Sequence, residues 1–150
     1  MVKILVPIDF SPDSKDFVES GLRVLTEVDE INFVYVIPLG MKELEDFVDE
    51  DGIEYARKKA EEKMKDFIRD LNARARKITY TIMDGDPASV LIDLANGGEY
   101  DALLIGHRGY AYISDFFIGS VTLKLISKVR IPVIVVRKSK KAGEDVFEER

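Results

Sequence analysis

The sequence contains no cysteine, no tryptophan and no glutamine, and it has a single histidine, His107. The absence of cysteine excludes disulfides, thiolate zinc sites, iron–sulfur clusters and a cysteine nucleophile. A single histidine also excludes a metal site built from several imidazoles. No apolar run approaches the roughly 18 residues of a membrane span, and the first residues enter a strand-like run without the regions of a signal peptide. We therefore expect a cytoplasmic protein with no membrane association.

The composition is that of a folded globular chain. Its 150 residues are 46% hydrophobic and 33% charged, which is enough apolar material for a sizeable core. No linker or repeat divides the chain, so we expect one domain over 1–150 with a charged tail over 138–150. The sequence has three asparagines, no glutamine and abundant lysine and glutamate, a composition typical of thermophile proteins.

The net charge of −6 is concentrated in one place. The ten residues from Lys42 to Asp51 carry six carboxylates against one lysine. We interpret this stretch as a solvated acidic surface. It argues against nucleic acid as a partner, because phosphate backbones require basic patches. It leaves room for an anionic ligand elsewhere in the chain.

Apolar runs alternate with amphipathic segments along the chain. We predict strands over 2–8, 31–37, 78–83, 102–105 and 131–136, with helices opening at Ser11-Pro12, spanning 52–75, opening at Asp86-Pro87 and spanning 120–126. This alternation predicts an α/β fold with an open, mostly parallel five-stranded sheet and helices on both faces. In such sheets ligands bind beyond the carboxyl ends of the strands, where the strand order reverses. That rule points to Asp9, Val36 and the segment after Ile105.

The segment after the fourth strand is rich in glycine. Gly106 ends the strand, Gly109 follows three residues later, and Gly119-Ser120 opens the next helix. Glycines allow close approach of the backbone to a ligand, and a helix N-terminus attracts phosphate. Arg108 adds charge and Thr122 a second hydroxyl, so this segment could hold a polyphosphate.

Other interpretations of the same residues remain open. Gly106 and Gly109 could be ordinary turn glycines, and Ser120 an ordinary helix cap. Asp9 could be a turn or cap carboxylate for the first helix, or a contact to ribose or base. His107 could be an exposed loop imidazole, a ligand contact or, least favoured, a catalytic base. We assign no catalytic residue and no metal ligand.

The spacing Gly-x2-Gly-x9-Gly-Ser, beginning at Gly106, resembles the nucleotide-binding signature of the universal stress protein family. Four further stretches resemble that family, and together the resemblance covers residues 2–137. These stretches are Ile4–Ser11, Tyr35–Pro38, Gly85–Pro87 and Pro132–Val136. One position departs from the family pattern: Phe10 stands where a glycine often follows the aspartate.

The resemblance implies a Rossmann-like fold of the adenine nucleotide alpha hydrolase-like type, with strand order 3-2-1-4-5. Family members with the complete glycine signature typically bind ATP, with or without Mg²⁺. The family is often dimeric through its last strand. The apolar edge of that strand independently favours a homodimer here. The residues of that edge are Val133, Ile134, Val135 and Val136.

The resemblance also implies a set of site residues. Asp9 and the backbone of Val36 would approach adenosine, Gly106 and Gly109 would line ribose and phosphates, and residues 119–122 would hold the phosphates. The complete nucleotide-binding set is Pro7, Ile8, Asp9, Val36, Gly106, His107, Arg108, Gly109, Gly119, Ser120, Val121 and Thr122.

Three functions compete. The first is an ATP-binding regulatory or stress-response module with little or no turnover. The second is an enzyme, either a slow ATPase or a phosphoryl or nucleotidyl transferase. The sequence offers this second function no residue to orient a nucleophile. The third is a dimeric interaction protein that needs no nucleotide, which a crowding side chain at Phe10 would favour.

Overall fold

The computed structural model describes residues 1–39, 50–72, 75–106 and 120–137. The elements within them are β1 (Lys3–Pro7), α1 (Ser14–Val24), β2 (Glu30–Pro38), α2 (Glu50–Asp70), β3 (Lys77–Gly85), α3 (Pro87–Ala95), β4 (Ala102–Gly106), α4 (Ser120–Lys128) and β5 (Val133–Val136). The five strands form one parallel sheet in the order β3-β2-β1-β4-β5. The predicted fold class and strand order are confirmed. None of the helices in the described ranges is long and apolar enough to cross a bilayer.

Both faces of the sheet are covered by helices. Successive strand residues point to opposite faces, and in β1 the buried Ile4 and Val6 belong to one core while Leu5 belongs to the other. The first core includes Phe17 of α1 and Met64 of α2, whereas the second is built with residues of α3 and α4. Burial on both faces explains why the central strands β1 and β4 are continuous apolar runs.

The first helix begins later than the sequence predicted. We expected Ser11 as the cap and Pro12 as the first helical residue, but α1 begins at Ser14. Phe10 has a φ of 60°, and the Ser14 N–H donates to the Ser11 carbonyl at 3.0 Å, so a separate turn precedes the helix. The prediction was wrong because the left-handed residue before Ser11 redirects the chain.

Other boundaries also differ from the prediction, two of them at the ends of α2 and β5. The long helix α2 ends at Asp70. The Leu71 N–H then donates to the Ile68 carbonyl, three residues back, at 3.2 Å, which is the 3₁₀ pattern common at helix ends. The last strand begins at Val133 and not at residue 131.

Helix α2 is fixed to the sheet by polar and aromatic contacts. Arg57 donates to the Ile82 carbonyl and to the Asp84 carboxylate of β3, each at 2.8 Å. Further along, Phe67 packs edge-on against Phe33 of β2, with ring centroids 5.4 Å apart. These contacts hold α2 against β2 and β3.

Helix α3 begins as predicted at Asp86-Pro87. The Asp86 carboxylate accepts from the backbone N–H of Ser89 at 3.0 Å and from its hydroxyl at 2.9 Å, and Pro87 occupies the first turn. These hydrogen bonds from Ser89 lower the pKa of Asp86.

Replacing Asp86 by alanine should lower the free energy of unfolding by about 1 kcal/mol at neutral pH, the usual cost of a lost cap. A carboxyl whose pKa is depressed in the folded state stabilises the fold above its unfolded pKa, and the benefit is lost as the pH falls through the folded pKa. Urea unfolding of both proteins at pH 7 and below pH 3 measures this. An unchanged difference across that pH range would contradict the cap assignment.

Candidate functional site

The backbone pairing of β1 with β4 stops before their carboxyl ends, at the mouth of a crevice between them. Their pairing covers Ile4 with Ala102 and Leu5 with Leu103, although β1 continues to Pro7 and β4 to Gly106. The N–H groups of successive strand residues face opposite neighbours. Because the Ile8 N–H donates to Val34 of β2 at 2.9 Å, the position of Pro7 faces β4, and proline has no N–H to donate there. The strand order reverses at this point, so the crevice lies where α/β sheets bind ligands.

Asp9 lies at the mouth of this crevice, just beyond β1. Its Oδ1 accepts from the Ser11 N–H at 2.9 Å and from the Ser14 hydroxyl at 3.2 Å. Both expected roles therefore have a structural basis. One oxygen closes the turn before α1, and the part of the chain that the structure describes gives no hydrogen bond to Oδ2. That second oxygen is the atom that could meet a ligand.

The side chain of Phe10 contacts β2 and α2. Its ring packs on Tyr35 of β2, with centroids 4.8 Å apart, and the Lys63 ammonium of α2 lies 5.8 Å from its centre. The backbone φ of 60° is the left-handed region that a glycine adopts without strain. The aromatic contact therefore stabilises a conformation that costs phenylalanine about 1–2 kcal/mol.

Tyr35 is a residue of this region that the sequence analysis missed. Burial raises the pKa of Tyr35, and the negative charge of nearby Asp9 raises it further. The phenol therefore stays neutral and remains a hydrogen-bond donor near the site. The alternation of β2 could have revealed it, because residue 35 lies on the same face as Phe33 and directly precedes Val36.

The structure gives a packing reason for glycine at position 106 that the sequence did not predict. A Cβ at this position would lie 2.8 Å from the Phe17 ring, which fills the space beside the end of β4. The carbonyl of Gly106 accepts from the buried Thr122 hydroxyl at 3.4 Å. The packing of α1 therefore requires glycine here, and Thr122 ties α4 to the end of β4.

The start of α4 lies at the same edge of the sheet. Ser120 is the first helical residue and is exposed, while Val121 packs against the core on the α3–α4 face. The side chain of Val36 is buried in that core, which leaves the end of β2 to offer backbone groups. The structure thus positions eight of the predicted site residues: Pro7, Ile8, Asp9, Val36, Gly106, Ser120, Val121 and Thr122.

Four predicted site residues lie outside the described residues: His107, Arg108, Gly109 and Gly119. Most of the acidic stretch and the charged tail lie outside them too. Within the four described ranges, no group of three or more histidine, aspartate or glutamate side chains is arranged to hold a metal ion.

Comparison with known proteins establishes the relationship of the chain. The model of the universal stress protein family matches residues 1–137. The chain belongs to this family. Universal stress protein MJ0531 of Methanocaldococcus jannaschii is 27% identical over 150 residues, covering 93% of this chain and 84% of the relative. Universal stress protein MJ0577 of the same organism is 27% identical over 153 residues, covering 91% of this chain and 94% of the relative.

Solved structures share the fold. The structure of MJ0577 superposes with a TM-score of 0.72 at 26% identity, covering 93% of this chain and 98% of that chain. A universal stress protein of Archaeoglobus fulgidus in complex with dAMP gives 0.58 at 20% identity, covering 91% and 98%. A family protein of Arabidopsis thaliana with AMP bound gives 0.61 at 14%, covering 97% and 99%. At these lower identities the likeness shows the fold alone.

Proposed function

We propose that this universal stress protein binds ATP or another adenine nucleotide at the carboxyl ends of β1 and β4. The observation that carries the proposal is that the pairing of these two strands stops at Leu5 and Leu103, at the reversal of strand order, where sheets of this kind form a ligand-binding crevice. Asp9 from β1 and Ser120 from α4 lie at the same edge of the sheet. The chain therefore offers a carboxylate and a helix N-terminus on either side of one crevice.

The chemistry of the two sides suits the two ends of a nucleotide. The Oδ2 atom of Asp9 can accept from a ribose hydroxyl or a base amino group, because Oδ1 is held by the turn. The first N–H groups of α4 and the Ser120 hydroxyl can donate to phosphate oxygens. We place the remaining predicted residues of the glycine signature in the same site: His107, Arg108, Gly109 and Gly119.

Two further observations support this assignment. Structures within the same fold carry dAMP, AMP and, at 18% identity with a TM-score of 0.54, cAMP. The Phe10 ring packs on Tyr35 and lies beside Lys63 of α2, a position that supports a nucleotide site left open by this side chain.

The proposal is tested by the small molecules that the purified protein retains. The protein should be exchanged extensively into buffer without nucleotide, denatured, and its supernatant analysed by mass spectrometry. We expect an adenine nucleotide in the wild type and much less in the Asp9→Asn variant, whose amide oxygen can still close the turn before α1. Absence of nucleotide, together with no binding of added ATP, would refute the proposal.

We further propose a regulatory module and expect ATP turnover well below the median enzyme rate of about 10 per second. Backbone N–H groups and hydroxyls that hold the phosphates equally in substrate and transition state do not accelerate the reaction. Phosphate release under excess ATP and Mg²⁺ measures the rate. Turnover of several per second that collapses in Asp9→Asn or His107→Ala would instead make this protein an ATPase.

We also propose a homodimer through β5, which is the outermost strand on its side of the sheet in the described residues. Replacing Ile134 by lysine should convert a dimer into a 17 kDa monomer, because a charge at a paired edge opposes association. Light scattering measures the mass, and circular dichroism shows whether the fold persists. Tyr55→Lys, an equivalent change at an exposed residue of α2, should remain dimeric. A monomeric wild type at micromolar concentration would contradict the proposal.

A further inference from the structure

A second cleft lies beside the turn that follows Asp9. It has a volume of ≈ 290 Å³ and is walled by the turn before α1 and by the second half of α2. The turn contributes Phe10, Ser11 and Lys15, and α2 contributes Lys63 and Phe67. The volume is close to the lower limit of about 300 Å³ for small-molecule pockets. It accommodates one ring with a short substituent.

The charged side chains that line the cleft differ in whether they form ion pairs. Asp66 and Asp70 line it, but each is paired with Arg69, at 3.1 Å and 3.4 Å. In the part of the chain that the structure describes, neither Lys15 nor Lys63 lies within 4.0 Å of a carboxylate. Lys15, Lys63 and Arg69 therefore outnumber Asp66 and Asp70 here, which leaves a small positive excess at the cleft in a chain whose net charge is −6.

The apolar part of the lining is aromatic. Phe10 and Phe67 reach the cleft from its two walls, and each is held in place by a second ring, Tyr35 at 4.8 Å and Phe33 at 5.4 Å. Rings fixed in this way offer a flat apolar surface at little entropic cost. A ligand that satisfies both parts of the lining has an aromatic ring beside these side chains and an acidic group beside the lysines.

We propose that this cleft is a second ligand site, separate from the nucleotide crevice, for a small aromatic acid bearing a phosphate or carboxylate group. The ring lies against Phe10 and Phe67, and the anion lies between the ammonium groups of Lys15 and Lys63. Because the site includes the residue that follows Asp9, an occupant contacts the same turn that presents Asp9 to the nucleotide.

Phenyl phosphate and benzoate are the probes, because they share the ring and differ in the anion. We expect saturable binding of one or both to the wild type, followed by amide chemical shifts in an NMR titration. Affinity should fall by about two- to fivefold in Lys15→Met and again in Lys63→Met, as expected for the loss of an exposed ion pair. Inorganic phosphate and phenol, which each satisfy half of the lining, should bind more weakly than the joined molecule.

Lys65→Met is the matched control. Residues 63, 66, 67 and 70 share one face of α2, whereas residue 65 lies on the other side of the helix. Equal weakening in Lys65→Met would show a general charge effect and overturn the proposal, as would the absence of saturable binding of both probes. Direct competition between ATP and the probe would also overturn it, because it would show that the probe binds in the nucleotide site. Failure of the protein to bind ATP would refute the proposed function without affecting this titration.

Discussion

Replacing Ser120 by aspartate should abolish ATP binding while leaving the fold intact. Ser120 is the exposed first residue of α4, where a carboxylate interacts favourably with the helix dipole by about 0.3–1 kcal/mol. The same carboxylate would stand where we place the phosphates, and like charges about 4 Å apart near a protein surface repel by up to about 4 kcal/mol. We expect ATP affinity to fall at least about 100-fold.

The matched control for this variant lies at the other end of the same helix. Ser127 is exposed, and its hydroxyl donates to the Leu123 carbonyl at 2.9 Å, so Ser127→Asp adds the same charge far from the proposed phosphates. Titration calorimetry should give near wild-type affinity for this control. Equal ATP affinity in wild type and Ser120→Asp would show that the phosphates do not lie at the start of α4.

Replacing Gly106 by alanine should lower the free energy of unfolding by about 1–3 kcal/mol, the usual cost of overpacking a core. The added Cβ would lie 2.8 and 3.0 Å from Cδ1 and Cγ of Phe17. Cγ lies at the base of the ring, so a simple rotation of the side chain cannot remove the overlap. Chemical denaturation of both proteins measures the difference, and an unchanged stability would contradict the packing at this position.

Two comparisons isolate the cause. Gly97→Ala, whose Cβ would meet its nearest neighbours at 3.4 Å, should change stability by no more than about 0.5 kcal/mol. Phe17→Leu in the Gly106→Ala background should be less destabilising than the two single changes added together, because the contact between them is relieved. ATP binding by the double variant then shows whether glycine at 106 serves the ligand as well as the core.

The architecture could be predicted because local and global signals agree. The central strands β1 and β4 are short apolar runs, since they are buried on both faces, and Asp86-Pro87 places the start of α3 through a cap that needs no tertiary contact. The family signature also predicted which edge of the sheet carries the candidate site. The positions of Asp9 and Ser120 at that edge followed from the alternation of strands and helices alone.

The details that sequence could not provide depend on tertiary neighbours. The late start of α1 follows from a left-handed Phe10, and the contact that stabilises this conformation is with Tyr35, a residue of another strand. A glycine likewise does not reveal which neighbour occupies the space of its missing Cβ. At Gly106 that neighbour is Phe17 of α1, whereas the sequence suggested a ligand.

The most direct test of a nucleotide site between β1 and β4 is the ATP titration of isotope-labelled protein, followed residue by residue by NMR. We predict the largest amide shifts at residues 8–11, at Gly106 and at residues 120–122, with smaller shifts near the end of β2. The amino-terminal ends of the strands, around Glu30 and Tyr100, should be unaffected. Shifts confined to those ends, or no saturable shifts at millimolar ATP, would contradict the account.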